Sequence, residues 1–171
     1  METLKINLSQ QISHAERLAL LGVGSDLRGD DAAGMLVARR LAKTCGKMGE
    51  LKNFKIFLGD TAPENLTGEV KKFNPTHLLI VDSADMNELP GAVKLIDPES
   101  IEGFSSSTHS LPLNILADYL IKSIGCKIII IGIQPKVLEF GSCLSAEVEK
   151  SVEDISRMIK LTLKSKNKAH A

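Results

Sequence analysis

The chain has 171 residues, of which 43% are hydrophobic and 25% are charged. These proportions are typical of a globular domain and exclude an extensively disordered chain or one made of membrane spans. Basic and acidic side chains both number 21, giving a formal net charge of zero, so no global field attracts nucleic acid or anionic lipid. We therefore expect one domain that binds neither nucleic acid nor membrane.

The N-terminal segment, residues 1–17, mixes charged residues with single apolar ones. It lacks the apolar core of a signal peptide, and no stretch of the chain reaches the roughly 20 apolar residues of a spanning helix. We interpret it as an N-terminal extension of the domain. The cysteines Cys45, Cys126 and Cys143 lie far apart without a CxxC pair, which favours buried free thiols and a cytoplasmic location.

Five segments are predicted to be strands. Three are aliphatic runs typical of strands that are buried on both faces of a parallel sheet. In chain order the predicted strands are Leu18 to Gly24, Lys55 to Asp60, Leu78 to Asp82, Ala92 to Ile96 and Lys127 to Ile133. The short turn at Leu89-Pro90-Gly91 predicts that the fourth strand forms an antiparallel hairpin with the third.

Apolar residues at helical spacing predict helices between these strands. The predicted helices run from Ala33 to a stop at Gly46, from a capping box at Thr61 and Glu64 toward Phe73, from Pro112 to Gly125, and from Ser145 to Lys164. Residues 164–171 are expected to form a frayed tail. The alternation predicts a three-layer α/β domain, with a mixed, mostly parallel five-stranded sheet between helices.

Candidate site residues are sought beyond the carboxyl ends of the strands, where open α/β sheets bind their ligands. The first strand leads into a glycine-rich loop that ends in Asp30 and Asp31. We assign Asp30 to capping the following helix and Asp31 to ligand binding. Asp82 ends the third strand and can be held rigidly as a metal ligand or general base. His109 precedes the Pro112 helix and is a candidate ligand or base.

These three residues also have ordinary structural interpretations. Asp31 can be a second helix-capping residue, Asp82 can bond its own turn, and His109 can be a solvated loop side chain. If instead they converge, two carboxylates and one imidazole suit a borderline divalent ion such as nickel or zinc. Three ligands would also leave coordination positions open for a substrate.

Other kinds of site fit the same loops poorly. A dinucleotide fingerprint needs a third glycine where the chain has Leu27, and Asp30 and Asp31 would face the pyrophosphate. Ser25 lacks the spacing of a nucleophile elbow, and no cysteine lies in the loops at this edge.

Four sequence stretches carry a family resemblance. They are GVGSDLRGDDAAG at 22–34, GDTAPEN at 59–65, LLIVDSADM at 78–86 and THSLPLN at 108–114. Together they resemble the nickel-iron hydrogenase maturation endopeptidases, most closely the branch serving formate hydrogenlyase (hydrogenase 3), as does IGIQP at 131–135. The resemblance implies a mixed sheet between helices and an endopeptidase that removes the C-terminal extension of a nickel-loaded hydrogenase large-subunit precursor.

The resemblance also implies roles for particular residues. Asp31, Asp82 and His109 match the nickel-contacting positions, and Asp31 and Asp82 are the candidate catalytic residues. The precursor would supply the nickel as a recognition signal, and the protein would have no cofactor of its own. Two alternatives stay open: a nickel-precursor chaperone without enzymatic activity, and a metal-independent aspartic hydrolase of another peptide.

Overall fold

The computed structural model describes residues 2–45, 53–97 and 112–169. The α-helices are α1 (Glu2–Ile12), α2 (Ala33–Cys45), α3 (Thr67–Phe73), α4 (Leu113–Ile124) and α5 (Ala146–Ala169), and short 3-10 helices precede α2 (Gly29–Ala32) and α3 (Pro63–Leu66). The strands are β1 (Leu18–Val23), β2 (Phe54–Asp60), β3 (His77–Ser83), β4 (Val93–Ile96) and β5 (Lys127–Ile133). Within the described ranges, no helix is both long and apolar enough to cross a membrane.

The five strands form one sheet in the order β2-β1-β3-β5-β4. The pairs β1–β2, β1–β3 and β3–β5 are parallel, and β4 pairs antiparallel with β5 at one edge. The predicted mixed, mostly parallel five-stranded sheet is therefore confirmed. The predicted hairpin between β3 and β4 is wrong, because β3 has β1 on one side and β5 on the other and so has no free edge.

Helices cover both faces of the sheet, which confirms the predicted three layers. On one face, α1, α2 and α5 pack against alternate side chains of the central strands, including Leu20, Leu79 and Ile131. On the other face, α3 and α4 pack against the intervening side chains, including Leu21 and Ile80. This alternation places β1, β3 and β5 between two apolar layers.

Helix α1 occupies most of the segment that we predicted only as an extension. Its apolar residues are few and separated by polar ones, so the helical spacing is weak in the sequence. In the structure Leu8 and Ile12 are buried in the same core cluster as residues of α5, and the hydroxyls of Ser9 and Thr162 lie 3.4 Å apart. The segment is thus part of the packed helical layer.

Two local predictions differ from the structure. No side chain caps the Pro63–Leu66 helix, whose N-cap residue is Ala62, so the capping box predicted at Thr61 does not form. Helix α5 continues past the predicted end at Lys164 to Ala169. Cys126 is a buried free thiol as expected, whereas Cys143 is free but exposed. The side chain of Cys45 and the final residues 170–171 lie outside the described part of the chain.

Candidate active site

The loop after β1 brings Asp31 to the carboxyl edge of the sheet. The Asp31 side chain is 6% exposed, and its Oδ2 accepts a hydrogen bond of 2.9 Å from the backbone N–H of Ser25. Gly24 makes this fold possible, because a Cβ at that position would lie 1.8 Å from the carbonyl oxygen of Asp31. Its φ of +121° also lies in a region that favours glycine.

Asp82 lies at the same edge, near the end of β3. Its side chain is 7% exposed, and Oδ1 accepts a 2.8 Å hydrogen bond from the backbone N–H of Ser83. Side chains alternate along a strand, so Asp82 shares a face with Leu78 and Ile80, which pack with α3 and α4. We predicted that Asp82 lies at a strand end and is held by a rigid element, and the structure has it next to the last residue of β3.

The two carboxylates interact. Burial raises the pKa of Asp82, the negative charge of Asp31 raises it further, and the Ser83 N–H lowers it, leaving the pKa at about 7. Burial also raises the pKa of Asp31, against the Ser25 N–H and the positive charge of Arg28, which lower it. A carboxyl group with a pKa near neutrality can accept and return a proton at the pH of a cell, so the pair is suited to acid–base work.

Asp30 has a different structural role from that of the neighbouring Asp31. It is fully buried, and its carboxylate accepts hydrogen bonds from the backbone N–H groups of Lys136, Val137 and Ser145 and from the Ser145 hydroxyl, at 2.7–3.0 Å. Burial raises its pKa, but these four donors outweigh burial and leave the pKa below the ordinary value. The prediction that Asp30 caps the helix that follows it is wrong, because its carboxylate accepts these hydrogen bonds from the segment after β5 instead.

His109 lies outside the described residues, so its convergence with Asp31 and Asp82 stays a prediction. The chain is described again from Pro112, and Leu113 at the start of α4 packs in the same cluster as Ile80. That cluster covers the face of the sheet to which Asp82 belongs. In the three described ranges, no group of three or more His, Cys, Asp or Glu side chains could hold a metal ion.

A buried polar residue that we did not assign to the site also lies at this edge. Gln134, 7% exposed, follows β5 and binds the connection that leaves Asp82. The sequence signal was the IGIQP stretch, which we noted only as part of the family resemblance. Its side-chain partners lie about fifty positions earlier in the chain, so local spacing could not reveal them.

Comparison with known proteins shows which protein family the chain belongs to. A model of the family described as "HycI: Hydrogenase maturation protease" matches residues 35–162. The hydrogenase 3 maturation protease of Escherichia coli K12 is 39% identical over 137 residues, covering 80% of this chain and 84% of that protein. This chain belongs to the hydrogenase maturation protease family. It is therefore an endopeptidase, which argues against a chaperone without enzymatic activity.

Further relatives agree with this family assignment. A relative from Methanocaldococcus jannaschii is 39% identical over 151 residues, covering 86% of this chain and 89% of that one. The crystal structure of a [NiFe] hydrogenase maturation protease, HycI, from Thermococcus kodakarensis superposes with a TM-score of 0.83. It shares 31% identity and covers 92% of this chain and 99% of its own. The hydrogenase maturation protease fold thus extends over nearly the whole chain.

Proposed function

We propose that this hydrogenase maturation protease removes the C-terminal extension of a nickel-iron hydrogenase large-subunit precursor, and that nickel bound in the precursor is the recognition signal. Asp31, Asp82 and His109 would contact that nickel, which arrives with the substrate. The free thiols of Cys126 and Cys143 are in keeping with work in the reducing cytoplasm.

The observation that carries the proposal is that two buried carboxylates, one from the segment after β1 and one from the end of β3, lie at the same edge of the sheet. Asp31 and Asp82 are each less than one-tenth exposed, and the charge of one raises the pKa of the other. Two unpaired carboxylates side by side destabilise a fold unless a cation or a proton joins them. A divalent ion brought by a substrate would supply such a partner, and the structural relative from Thermococcus kodakarensis is named a [NiFe] hydrogenase maturation protease.

Nickel contact would place the scissile peptide against the same carboxylates. Holding the reacting groups in register can itself lower a barrier by several kcal/mol. The hydrolytic water is then activated by one of two routes: nickel polarises it as a Lewis acid, or Asp82 takes its proton as the oxygen attacks the peptide carbonyl. In the second route the proton returns to the departing amine.

A metal-independent aspartic mechanism is the second candidate, and one observation favours it. The pKa of Asp82 is about 7 while the neighbouring Asp31 is also a carboxylate with a raised pKa. Two carboxyl groups that share one proton can serve as acid and base without a metal. Dependence on nickel separates the two candidates.

The test follows the mass of a hydrogenase large-subunit precursor that is incubated with the protein, with and without nickel loading. Loss of a C-terminal peptide only from the nickel-loaded precursor is the expected result. Equal loss from both forms would refute nickel recognition and support the aspartic pair. No loss from either form, with precursor and protease from the same cell, would refute the proposed function.

Substitutions in the same assay test the proposed roles of the individual residues. Asp82→Asn is expected to abolish processing of the nickel-loaded precursor, and His109→Ala to reduce it strongly. Asp118→Asn is the matched control, since Asp118 is exposed on α4 and pairs with Lys122. Full activity of Asp82→Asn would remove Asp82 from both mechanisms.

A further inference from the structure

Gln134 is buried at the end of β5 and uses both ends of its amide. Its Oε1 accepts hydrogen bonds from the backbone N–H of Met86 at 2.7 Å and of Glu88 at 3.2 Å. Its Nε2 donates to Oδ1 of Asp85 at 3.1 Å and to the carbonyl oxygen of Pro135 at 3.4 Å. An amide with only 7% exposure thus has its donors and its acceptor satisfied by one neighbouring loop and by the backbone of the next residue.

That loop is the connection from Asp82 to β4. Because β4 pairs with the far side of β5, residues 84–92 must cross over the end of β5. Backbone bonds mark the crossing: Ala84 N–H donates to Ile133, Gly91 N–H to Gln134, and Gln134 N–H to Ala92, at 2.8–3.0 Å. Gln134 is the side chain that holds the middle of the crossing, between these two ends.

The crossing packs closely beside Asp82. Gly132 is the register partner of Asp82 in β5. A Cβ on Gly132 would lie 3.0 Å from Sδ of Met86 and 3.2 Å from Cβ of Ala84, so the loop lies directly on the strand here. The loop leaves β3 directly after Ser83, whose N–H is the hydrogen-bond donor to the Asp82 carboxylate. Ser83 pairs with Ile133 in the sheet, and Ala84 next to it donates to the Ile133 carbonyl oxygen, so the end of β3 that carries this donor is held jointly by β5 and by the first residue of the loop.

We propose that Gln134 is a positioning residue for peptide cleavage: by binding residues 85–88 across the end of β5, it fixes the loop that directly follows β3 and so holds the strand end that aims the Asp82 carboxylate. The inference rests on the proposed function and adds to it a residue that touches neither substrate nor nickel. It also gives the IGIQP stretch a physical reason. Gly132 leaves space for the crossing loop and Gln134 binds it.

An exchange of partners tests the inference. Gln134→Glu keeps an acceptor for the two backbone N–H groups but loses the donor and sets a carboxylate against Asp85. Asp85→Asn alone keeps an oxygen that can accept from Gln134. The double variant restores a hydrogen bond in the reverse direction, from the new amide to the new carboxylate. Thr162→Val is the control, because Thr162 is buried and hydrogen-bonded within α5, which packs on the opposite face of the sheet from Asp82.

For processing of the nickel-loaded precursor, we expect Gln134→Glu to lower kcat about tenfold with KM within about twofold of wild type. Asp85→Asn and Thr162→Val should stay within about twofold, and the double variant should recover most of the lost kcat. Circular dichroism at the assay temperature checks that each variant is folded. An unchanged kcat in Gln134→Glu, or a double variant as slow as that single variant, would overturn the inference.

Hydrogen exchange provides a readout that needs no precursor. In Gln134→Met the amides of Met86 and Glu88 lose their acceptor, so they should exchange at least about tenfold faster than in wild type, while amides of β1 are unchanged. Unchanged exchange at these two amides would overturn the inference whatever the activity. Failure of the wild-type protein to cleave any precursor is a different result, since it contradicts the proposed function itself.

Discussion

Asp82→Asn is predicted to stabilise the fold at neutral and alkaline pH while it abolishes processing. The pKa of Asp82 rises from an ordinary 3.8 to about 7 in the folded state, because of burial and the charge of Asp31. A carboxyl group with a raised folded pKa holds its proton more tightly when folded, so stability falls as pH rises between the two values. At about 1.4 kcal/mol per pKa unit, that rise corresponds to about 4 kcal/mol of stabilisation of the folded state. This stabilisation is present below about pH 4 and is lost above about pH 7.

The amide of the variant cannot ionise, and its oxygen can still accept the Ser83 N–H. We therefore expect Asp82→Asn to raise the free energy of unfolding by about 2 to 4 kcal/mol at pH 8. The difference should shrink as pH falls toward 4, where the wild-type carboxyl is protonated in the folded state and about half protonated in the unfolded state. Urea unfolding at several pH values between 4 and 8, followed by circular dichroism, measures both quantities.

Asp30→Asn is the comparison of opposite sign. Four hydrogen bonds outweigh burial and lower the pKa of Asp30, so the ionised group stabilises the fold above its ordinary pKa and that stabilisation is lost as pH falls. This variant should be destabilised at pH 8 and less so in acid. A destabilised Asp82→Asn at pH 8, or one that keeps the wild-type pH slope, would refute the reasoning.

Two further predictions concern the loops that position the site. Gly24→Ala should lower the melting temperature by several degrees, because the new Cβ meets the Asp31 carbonyl oxygen, whereas Gly68→Ala in helix α3 has open space and should be neutral or slightly stabilising. Equal effects of these two substitutions in thermal denaturation would contradict the close approach. Ser145→Ala removes only the hydroxyl bond to Asp30 and should lower the free energy of unfolding by about 1 to 2 kcal/mol in urea titration. A loss below about 0.3 kcal/mol would mean that the bond does not stabilise the fold.

The strands were the most predictable part of the fold. Predicted and observed strand ends differ by at most one residue, because the aliphatic runs are bounded by glycine, proline and charged residues. Their pairing was less predictable. A short turn after β3 is compatible both with a crossing over β5 and with a hairpin. The hairpin is excluded only because β1 and β5 already pair with the two edges of β3.

The two carboxylates of the candidate site could be predicted from the sequence, whereas the hydrogen bonds that hold the surrounding loops could not. Asp31 and Asp82 could be named because each follows an aliphatic strand, and strand ends meet at one edge. The structure places both there, buried and electrostatically coupled, while the site role of His109 stays a prediction. The partners of Asp30 and Gln134 could not be named, since neither residue belongs to a periodic pattern and both bind backbone groups far away in the chain.

The contacts of Asp30 have a consequence for synthesis of the protein. Its donors Lys136, Val137 and Ser145 follow it by 106 to 115 positions. A nascent chain on the ribosome therefore carries Asp31 and Asp82 long before the segment that anchors the Asp31 loop has been translated. Contacts of such long range also form late in folding. The candidate site consequently assembles only after nearly the whole polypeptide has emerged, so translation fragments that end before Ser145 have an incomplete candidate site.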